Sequence, residues 1–277
     1  MRGNWSAYII FRVKKEAASI RCFVILIKLY SMRGTVIGKE SKMDTIILAG
    51  GLGTRLREVV SDLPKPMVSI NGKPFLDLIL SLLNRCGSIE RVILAVGYMA
   101  DKIIEKFEKS SEYNFKVLFS VEETLLGTGG AIKKALKYTK TENVLVLNGD
   151  SYVDIDLYDF LKKHLQTKAD MTIVLKELEN TNRYGSVKID ENNKITCFEE
   201  KKPGVSKGYI NAGIYLIKRS LFDNLKENTV ISLEKELLPV FIKKDVFGYI
   251  GKGKFIDIGI PENYRIAGKY LYKEGVK

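Results

Sequence analysis

The sequence predicts an α/β fold: a Rossmann-like, mixed and mainly parallel sheet flanked by helices, with a smaller antiparallel part. Two observations predict this fold. In residues 43–147, short apolar runs alternate with segments of helical spacing, which is typical of a parallel sheet covered by helices on both faces. From residue 171 onward, short strand-like segments follow one another directly, which indicates antiparallel pairing.

The first half contains four predicted strands. These strands cover residues 45–49, 91–96, 115–121 and 143–147, and the predicted helices cover 75–85, 101–109 and 129–138. Each strand is a short, nearly continuous apolar run, as expected for strands that are buried on both faces. Because ligands of open α/β sheets bind at the carboxyl ends of the strands, we expect functional residues directly after these runs.

The second half contains four shorter predicted strands and a final helix. The strands cover residues 171–176, 186–190, 194–198 and 213–217, with a hairpin turn at 191–193, and a short last helix begins at Gly268. No Pro/Ser-rich linker divides the sequence after residue 43. Residues 43–277 are therefore predicted to form one domain.

Residues 1–42 are predicted to be an N-terminal extension that is not part of the fold. They carry nine Lys or Arg and two Glu residues, in a chain whose formal net charge is +12. Because most of the basic excess lies in this piece, the charge gives little reason to expect nucleic-acid binding. Met43 directly precedes a strand pattern. This favours the interpretation that the chain begins at Met43 and that residues 1–42 result from a start codon chosen too early. The alternative is a basic amphipathic segment that touches a membrane surface or a partner.

The composition is that of a globular protein, with 45% hydrophobic residues. The three cysteines lie far apart, which argues against a disulfide framework or a zinc site and favours the reducing cytoplasm. The apolar run at residues 22–27 is too short to span a membrane. The expected partners are small-molecule substrates, with no nucleic acid and no membrane span, and association into a homo-oligomer is left open.

A glycine-rich loop follows the first predicted strand. Residues 50–56 read Gly-Gly-Leu-Gly-Thr-Arg-Leu. Glycines allow a tight turn and bring backbone N–H groups close to phosphate oxygens, and Arg55 supplies a forked cation for a triphosphate. The loop is not a Walker A loop, because no Gly-Lys-Ser/Thr follows. An ordinary glycine-rich turn between a strand and a helix is the alternative.

The loop and the segment Leu63-Pro-Lys-Pro-Met67 together resemble the paired N-terminal signature of the sugar-1-phosphate nucleotidyltransferase family. The resemblance implies the nucleotide-diphospho-sugar transferase fold, with the glycine loop wrapped around the triphosphate. The triphosphate residues would be Gly50, Gly51, Gly53, Thr54 and Arg55. Arg55 and Lys65 would be catalytic, because fixed cations stabilise the charge of the phosphoryl-transfer transition state.

Two aspartates are predicted to hold a metal ion. Asp150 follows the fourth predicted strand, and Asp257 lies in the hydrophobic segment 255–259. Two carboxylates with phosphate oxygens are a usual Mg²⁺ environment. The family resemblance pairs Asp150 with Asp257 as catalytic residues and as ligands of a Mg²⁺ cofactor. Asp154 and Asp156 are predicted to be turn or cap residues instead.

The resemblance also implies residues for the nucleobase and for the sugar phosphate. It places Glu122, Gly127 and Thr128 at the nucleobase, with a helix N-cap as the alternative role for Thr128. The sugar-phosphate residues would be Tyr184, Gly185, Glu200, Lys201 and Asn211. His164, the only histidine, is predicted to be a surface residue.

These segments predict an enzyme that transfers a nucleoside monophosphate from a nucleoside triphosphate to a sugar 1-phosphate and releases pyrophosphate. Segments 125–132, 147–151, 183–187 and 198–201 resemble guanylyltransferases that act on D-glycero-α-D-manno-heptose 1-phosphate. That resemblance implies GTP as donor and a role in heptose supply for capsule, S-layer or lipopolysaccharide. The alternatives are mannose 1-phosphate with GTP, or glucose 1-phosphate with UTP, dTTP or CTP. From another class, the chain could be a non-catalytic subunit that senses nucleotide sugars.

Overall fold

The computed structural model describes residues 42–54, 56, 60, 62–199 and 207–272 of the 277-residue chain. Apart from Lys42, the predicted N-terminal extension lies outside the described residues. The predicted site residues Arg55, Glu200 and Lys201 also lie outside them.

Residues 43–148 alternate between strands and helices, as predicted. In chain order the elements are β1 (Met43–Leu48), a 3-10 turn (Lys65–Met67), β2 (Ser69–Ile70), β3 (Lys73–Pro74), α1 (Phe75–Cys86), β4 (Ile89–Val96), α2 (Ala100–Phe107), β5 (Lys116–Val121), α3 (Gly127–Ala135), a 3-10 turn (Leu136–Tyr138) and β6 (Asn143–Asn148). The long apolar runs form the central strands because both faces of the sheet are covered. Ile46, Ile93 and Val146 are completely buried there.

Residues 151–272 contain seven strands and three α-helices among the described positions. In chain order they are β7 (Ser151–Val153), α4 (Leu157–Thr167), β8 (Met171–Leu178), β9 (Ser186–Ile189), β10 (Ile195–Glu199), β11 (Gly208–Lys218), a 3-10 turn (Arg219–Phe222), a turn of π-helix (Leu233–Leu237), α5 (Leu238–Phe241), β12 (Val246–Ile250), β13 (Phe255–Asp257) and α6 (Pro261–Tyr272). Asp156 caps α4 as predicted, accepting a hydrogen bond from the Asp159 amide at 3.0 Å. A helix with the length and apolar surface needed to cross a bilayer is absent from the described ranges.

A nine-stranded mixed sheet organises the fold, in the order β10-β9-β11-β6-β1-β4-β5, with β8 between β11 and β12. β1 is parallel to β4 and β6, and β4 is parallel to β5. β11 is antiparallel to β6, β8 and β9, so it joins the parallel half to the antiparallel part. The predicted fold class is confirmed.

The parallel strands end level with one another. Leu48 at the end of β1 pairs with Ala95 of β4 and with Asn148 at the end of β6. The last residues of β4 and β5, Val96 and Val121, also pair with each other. The loops after these four strands therefore leave the sheet at one edge.

Two predicted boundaries in the second half were wrong. β11 begins at Gly208 rather than at residue 213; the polar Asn211 and an irregularity in the strand pairing nearby interrupt its apolar run. The last helix begins at Pro261 rather than at Gly268, because proline fits the first position of a helix. Gly268 lies inside that helix, where a side chain would collide with the Asn71 amide.

His164 is buried, and the prediction of a surface residue was wrong. Its exposed fraction is 1%, because it lies on the same face of α4 as the buried Phe160 and Leu161, whereas the lysines around it occupy the other face. Its Nδ1 lies 2.8 Å from Thr172 Oγ1, and its Nε2 lies 3.1 Å from Asn143 Oδ1. Burial lowers the pKa of His164 to about 4, so the ring is neutral at physiological pH.

Candidate active site

Two cavities meet at the edge of the sheet where the parallel strands end. The loop cavity has a volume of about 450 Å³ and lies against the glycine loop after β1. The sheet cavity has a volume of about 660 Å³ and lies against β11 and β13. Lys65, Asn148 and Asp150 line both cavities, so these three residues mark the junction between them.

The predicted site residues divide between the two cavities. The loop cavity is lined by Gly50, Gly51, Gly53, Thr54, Glu122, Gly127 and Thr128. The sheet cavity is lined by Tyr184, Gly185, Asn211 and Asp257. The structure thus separates the predicted nucleotide residues from the predicted sugar-phosphate residues, in two adjoining spaces that share Lys65 and Asp150.

The glycines of the loop satisfy different constraints. A side chain at Gly50 would lie 2.7 Å from Glu122 Oε1, so this position must remain small. Gly53 has a φ of +65°, and a Cβ there would lie 2.9 Å from Lys65 Cγ, so glycine is needed for the backbone and for the lysine stem. At Gly51, by contrast, a Cβ would have no atom of the described residues within 4 Å. Its backbone is therefore open to a ligand in the loop cavity.

Lys65 is held on a stiff segment between two buried prolines. Pro64 and Pro66 have a fixed φ, and the Met67 N–H donates to the Pro64 carbonyl oxygen at 2.8 Å. The Lys65 side chain is 15% exposed, and its Nζ lies 3.3 Å from Asp150 Oδ2. The local backbone therefore places a cation at the junction of the two cavities.

Asp150 and Asp257 face one point, although they lie far apart in the sequence. β7, directly after Asp150, pairs antiparallel with β13, which ends at Asp257. A Cβ at Gly259 would lie 2.8 Å from Asp257 Oδ1, 3.3 Å from Asp150 Oδ2 and 3.0 Å from Lys65 Nζ. Because Gly259 has no side chain, it adds no atoms beyond its backbone to the position that Asp150, Asp257 and Lys65 face, and a cation or a phosphate oxygen is expected there.

Glu122 places a buried carboxylate in the wall of the loop cavity. It directly follows β5, and its Oε2 accepts a hydrogen bond from the Leu126 N–H at 2.9 Å. Burial raises the pKa of Glu122. A carboxylate in this place can accept further hydrogen bonds from N–H groups of a ligand.

The segment 229–237 packs closely against the start of α3. A Cβ at Gly127 would lie 2.6 Å from the Ile231 carbonyl oxygen, and one at Gly129 would lie 2.7 Å from Leu237 Cδ1. These glycines are therefore needed for a contact within the protein. The sequence analysis had connected Gly127 only with the approach of a nucleobase.

Thr128 does not cap α3, so the alternative role predicted for it was wrong. The N-cap position of α3 is Leu126, which makes no side-chain capping hydrogen bond. The Thr128 hydroxyl instead accepts from the Leu233 N–H at 2.8 Å and donates to Glu234 Oε2 at 2.6 Å. Thr128 therefore holds the segment 229–237 in place.

The sequence analysis missed Glu234 and Lys235, which line the sheet cavity. A local signal was present, because Ser232 begins the π-helical turn and its hydroxyl accepts from the Lys235 N–H at 3.2 Å. Such a serine can indicate the start of a helix. It carries no information on which distant element that helix contacts. Asn148 was also missed, although it lines both cavities.

Tyr184 and Asn211 are fixed on two walls of the sheet cavity. The Tyr184 ring meets Phe255 edge to face, with 5.8 Å between the ring centroids. Burial raises the pKa of Tyr184 to about 12, so its hydroxyl remains a donor at neutral pH. Asn211 Oδ1 accepts from the Gly213 N–H at 3.0 Å, and Asn211 Nδ2 donates to the Tyr215 hydroxyl at 2.8 Å.

Comparison with known proteins gives concordant matches. Residues 44–274 match the Nucleotidyl transferase family. The chain is 43% identical over 230 residues to the D-glycero-alpha-D-manno-heptose 1-phosphate guanylyltransferase of Aneurinibacillus thermoaerophilus, covering 83% of this chain and 98% of the relative. It is 41% identical over 222 residues to the protein of the same name from Campylobacter jejuni, covering 80% of this chain and 97% of that relative. The crystal structure of HddC from Yersinia pseudotuberculosis complexed with GMP-PN is similar with a TM-score of 0.74 and 40% identity, covering 83% of this chain and 99% of that one.

The family match includes every described residue that lines the two cavities. Both relatives are aligned over nearly their whole length. The prediction of a nucleotidyl-transferring enzyme is thereby confirmed. The chain belongs to the Nucleotidyl transferase family.

Proposed function

We propose that this enzyme transfers GMP from GTP to D-glycero-α-D-manno-heptose 1-phosphate, forming GDP-heptose and releasing pyrophosphate. One observation carries the proposal: the loop cavity and the sheet cavity share Lys65, Asn148 and Asp150. A nucleoside triphosphate in the first and a sugar phosphate in the second would bring their phosphates together at these residues. The names of the two similar guanylyltransferases support guanosine and heptose as the pair.

The chemistry needs no acid–base pair. An oxygen of the sugar 1-phosphate, already anionic, attacks the α-phosphorus of GTP in line, and the bond to the bridging oxygen breaks, so that pyrophosphate leaves. Negative charge is dispersed over the transferred group in the transition state. The Lys65 ammonium, the backbone N–H groups of the glycine loop and the predicted cation Arg55 would stabilise that charge.

The residues at the junction fit a Mg²⁺ ion. In nucleotide sites, Mg²⁺ is usually held by one or two carboxylates together with substrate phosphates and water. Asp150 and Asp257 supply two carboxylates that face the same position beside Gly259. When bound, the ion would neutralise charge on those phosphates.

Glu122 supports guanine as the base. The Watson–Crick edge of guanine carries two adjacent donors, the N1–H and the N2 amino group, and one carboxylate can accept from both. Uracil and thymine present a single N–H flanked by carbonyl oxygens, which a carboxylate repels. Among the described residues, Glu122 and Asp150 are the carboxylates that line the loop cavity, and Asp150 lies at the junction.

The sheet cavity is proposed to hold the sugar. Tyr184 and Asn211 line it with a phenol and an amide, groups that form hydrogen bonds to hydroxyls. Gly185 lines the same wall. Contacts from Glu200 to the sugar and from Lys201 to its phosphate stay predictions.

The test is pyrophosphate release by the purified chain with Mg²⁺, crossing four nucleoside triphosphates with heptose, mannose and glucose 1-phosphates. Release confined to GTP with the heptose phosphate is the expected result. Fastest release with another pair, such as GTP with mannose 1-phosphate, would replace the proposed substrates. Nucleotide binding without release from any pair would favour the non-catalytic sensing subunit.

Residues 43–277 are proposed to contain the whole catalytic domain. The family match begins at residue 44, and β1 begins at Met43. A chain that starts at Met43 is therefore expected to fold and to keep the kcat and KM of the full chain. Loss of activity on removal of residues 1–42 would show that they belong to the enzyme. The cytoplasmic location stays a prediction.

A further inference from the structure

Glu234 connects the two cavities through a continuous chain of hydrogen bonds. Its Oε2 accepts from the Thr128 hydroxyl at 2.6 Å, and its Oε1 accepts from the Tyr215 hydroxyl at 3.2 Å. The Tyr215 oxygen in turn accepts from Asn211 Nδ2 at 2.8 Å. Thr128 lines the loop cavity and Asn211 lines the sheet cavity, so the chain of bonds runs from one cavity to the other.

The middle of this chain is shielded from water. Tyr215 has no exposed surface, and its hydroxyl both donates to Glu234 and accepts from Asn211. The Tyr215 hydroxyl is therefore left unsatisfied if either of its partners is lost. Removal of one hydroxyl from the chain is therefore expected to disturb its neighbours.

The chain of bonds fixes the orientation of the Asn211 amide. Asn211 Oδ1 accepts from the Gly213 N–H at 3.0 Å, and one hydrogen of Nδ2 is used on Tyr215. An amide has two N–H donors and two lone pairs on its oxygen, so one donor and one lone pair remain without a partner among the described residues. A sugar hydroxyl, which both donates and accepts, matches that remaining pair.

Glu234 is anchored to the start of α3, on the nucleotide side. The Leu233 N–H donates to Thr128 Oγ1 at 2.8 Å, and the Ile231 N–H donates to the Leu126 carbonyl oxygen at 2.9 Å. The Glu234 carboxylate is thus held by Thr128 in the wall of the loop cavity, together with the Ser232 hydroxyl, which donates to the same Oε2 at 3.2 Å. Glu234 itself lines the sheet cavity.

We propose that Glu234 is a positioning residue that sets the Asn211 amide for the sugar and ties its orientation to Thr128 in the loop cavity. The inference rests on the proposed function, because it takes a sugar 1-phosphate as the ligand of the sheet cavity. It follows that the Thr128 hydroxyl, on the nucleotide side, controls the affinity for the sugar phosphate.

The test is calorimetric titration of heptose 1-phosphate into the full chain saturated with a non-hydrolysable GTP analogue. Thr128→Val and Tyr215→Phe are each expected to weaken sugar-phosphate binding roughly 10-fold. The double variant should lose no more than one single variant, because both hydroxyls act through the same carboxylate. Thr128→Ser keeps a hydroxyl and should recover most of the affinity. Tyr209→Phe, on the same strand but outside the linings of both cavities, is the matched control.

Glu234→Gln replaces one acceptor with a donor and should weaken binding by a similar factor, with an unchanged unfolding temperature as the check on folding. Unchanged affinity in either single variant, or additive losses in the double variant, would overturn the inference and leave the proposed function standing. A wild-type chain that binds none of the heptose, mannose and glucose 1-phosphates would refute the proposed function itself, and the inference with it.

Discussion

The two cavities are assembled in different ways from one sheet. The loop cavity takes most of its lining from residues that follow parallel strands, namely the glycine loop after β1, Glu122 after β5 and Asp150 after β6, and the start of α3 and Lys65 complete it. The level strand ends bring the residues that follow the strands to one edge of the sheet. The sheet cavity takes its residues from inside β11, from the approach to β9 and from the segment 229–237. Those pieces meet only through antiparallel pairing and contacts between distant elements.

This difference predicts different consequences for substitutions. At the junction and in the loop cavity, a change acts on the phosphates or on the base, so it should alter kcat or the choice of nucleotide. In the sheet cavity, a change should alter mainly the affinity for the sugar phosphate. Away from both cavities, a change should alter stability alone.

The largest effect is expected for Asp150→Asn at the junction. The substitution removes a negative charge beside Lys65 and one of the two proposed metal ligands, so kcat should fall roughly 10²- to 10³-fold. Pyrophosphate release measures it. The matched control is Asp154→Asn, an exposed aspartate that lines neither cavity. Near-normal turnover in Asp150→Asn would remove the junction from the mechanism.

The next-largest effect is expected for His164, and it concerns the stability of the fold and not the activity. It connects Thr172 of β8 with Asn143 at the start of β6, at the opposite end of that strand from the cavities. Its pKa is about 4 in the folded chain and about 6.5 when unfolded. As pH falls below 6.5 the unfolded chain binds this proton first, so on the order of 3 kcal/mol of stability is lost between pH 6.5 and 4.

Urea unfolding of the wild type and of His164→Gln at pH 7 and pH 4.5 measures this loss. Carboxylates with lowered pKa values, such as Asp44 and Asp170, also lose stability at low pH, so the readout is the difference between the two proteins. The variant should lose less stability than the wild type on acidification. The same loss in both proteins would contradict the assignment of a buried neutral ring.

The smallest effect is a change of nucleotide preference in Glu122→Gln. A glutamine offers an accepting oxygen beside a donating amino group, which suits uracil better than guanine. Because hydrogen bonds to a charged group contribute about 1.5–3 kcal/mol, the ratio of kcat/KM for GTP over UTP should fall roughly 10-fold or more. Glu123→Gln, an exposed neighbour, is the control. An unchanged ratio would show that another group recognises the base.

The first half of the fold could be predicted closely from the sequence, since a strand buried on both faces is a visible apolar run. β6 spans Asn143–Asn148 and was predicted at 143–147, and β5 was predicted within one residue of Lys116–Val121. The glycines after β1 and before Asp150 mark the strand ends. Because these strand ends are visible in the sequence, the residues that follow them, which line the loop cavity, could also be predicted.

The second half was less predictable because its contacts are long-range. Thr128 and Leu233 are 105 residues apart, and their hydrogen bond places Glu234 in the sheet cavity. No local pattern around Glu234 indicates that contact. His164 shows the same difficulty, since the lysines beside it suggested an exposed helix, while the opposite face of α4 packs on the sheet.

We infer that the reaction takes place where the two cavities share Lys65 and Asp150. A crystal structure of the full chain with Mg²⁺, a non-hydrolysable GTP analogue and heptose 1-phosphate tests it most directly. We expect the triphosphate on the glycine loop, the heptose in the sheet cavity, and a phosphate oxygen of the sugar within about 3.5 Å of the α-phosphorus beside Lys65. Both ligands in one cavity, or an α-phosphorus remote from Lys65 and Asp150, would contradict it.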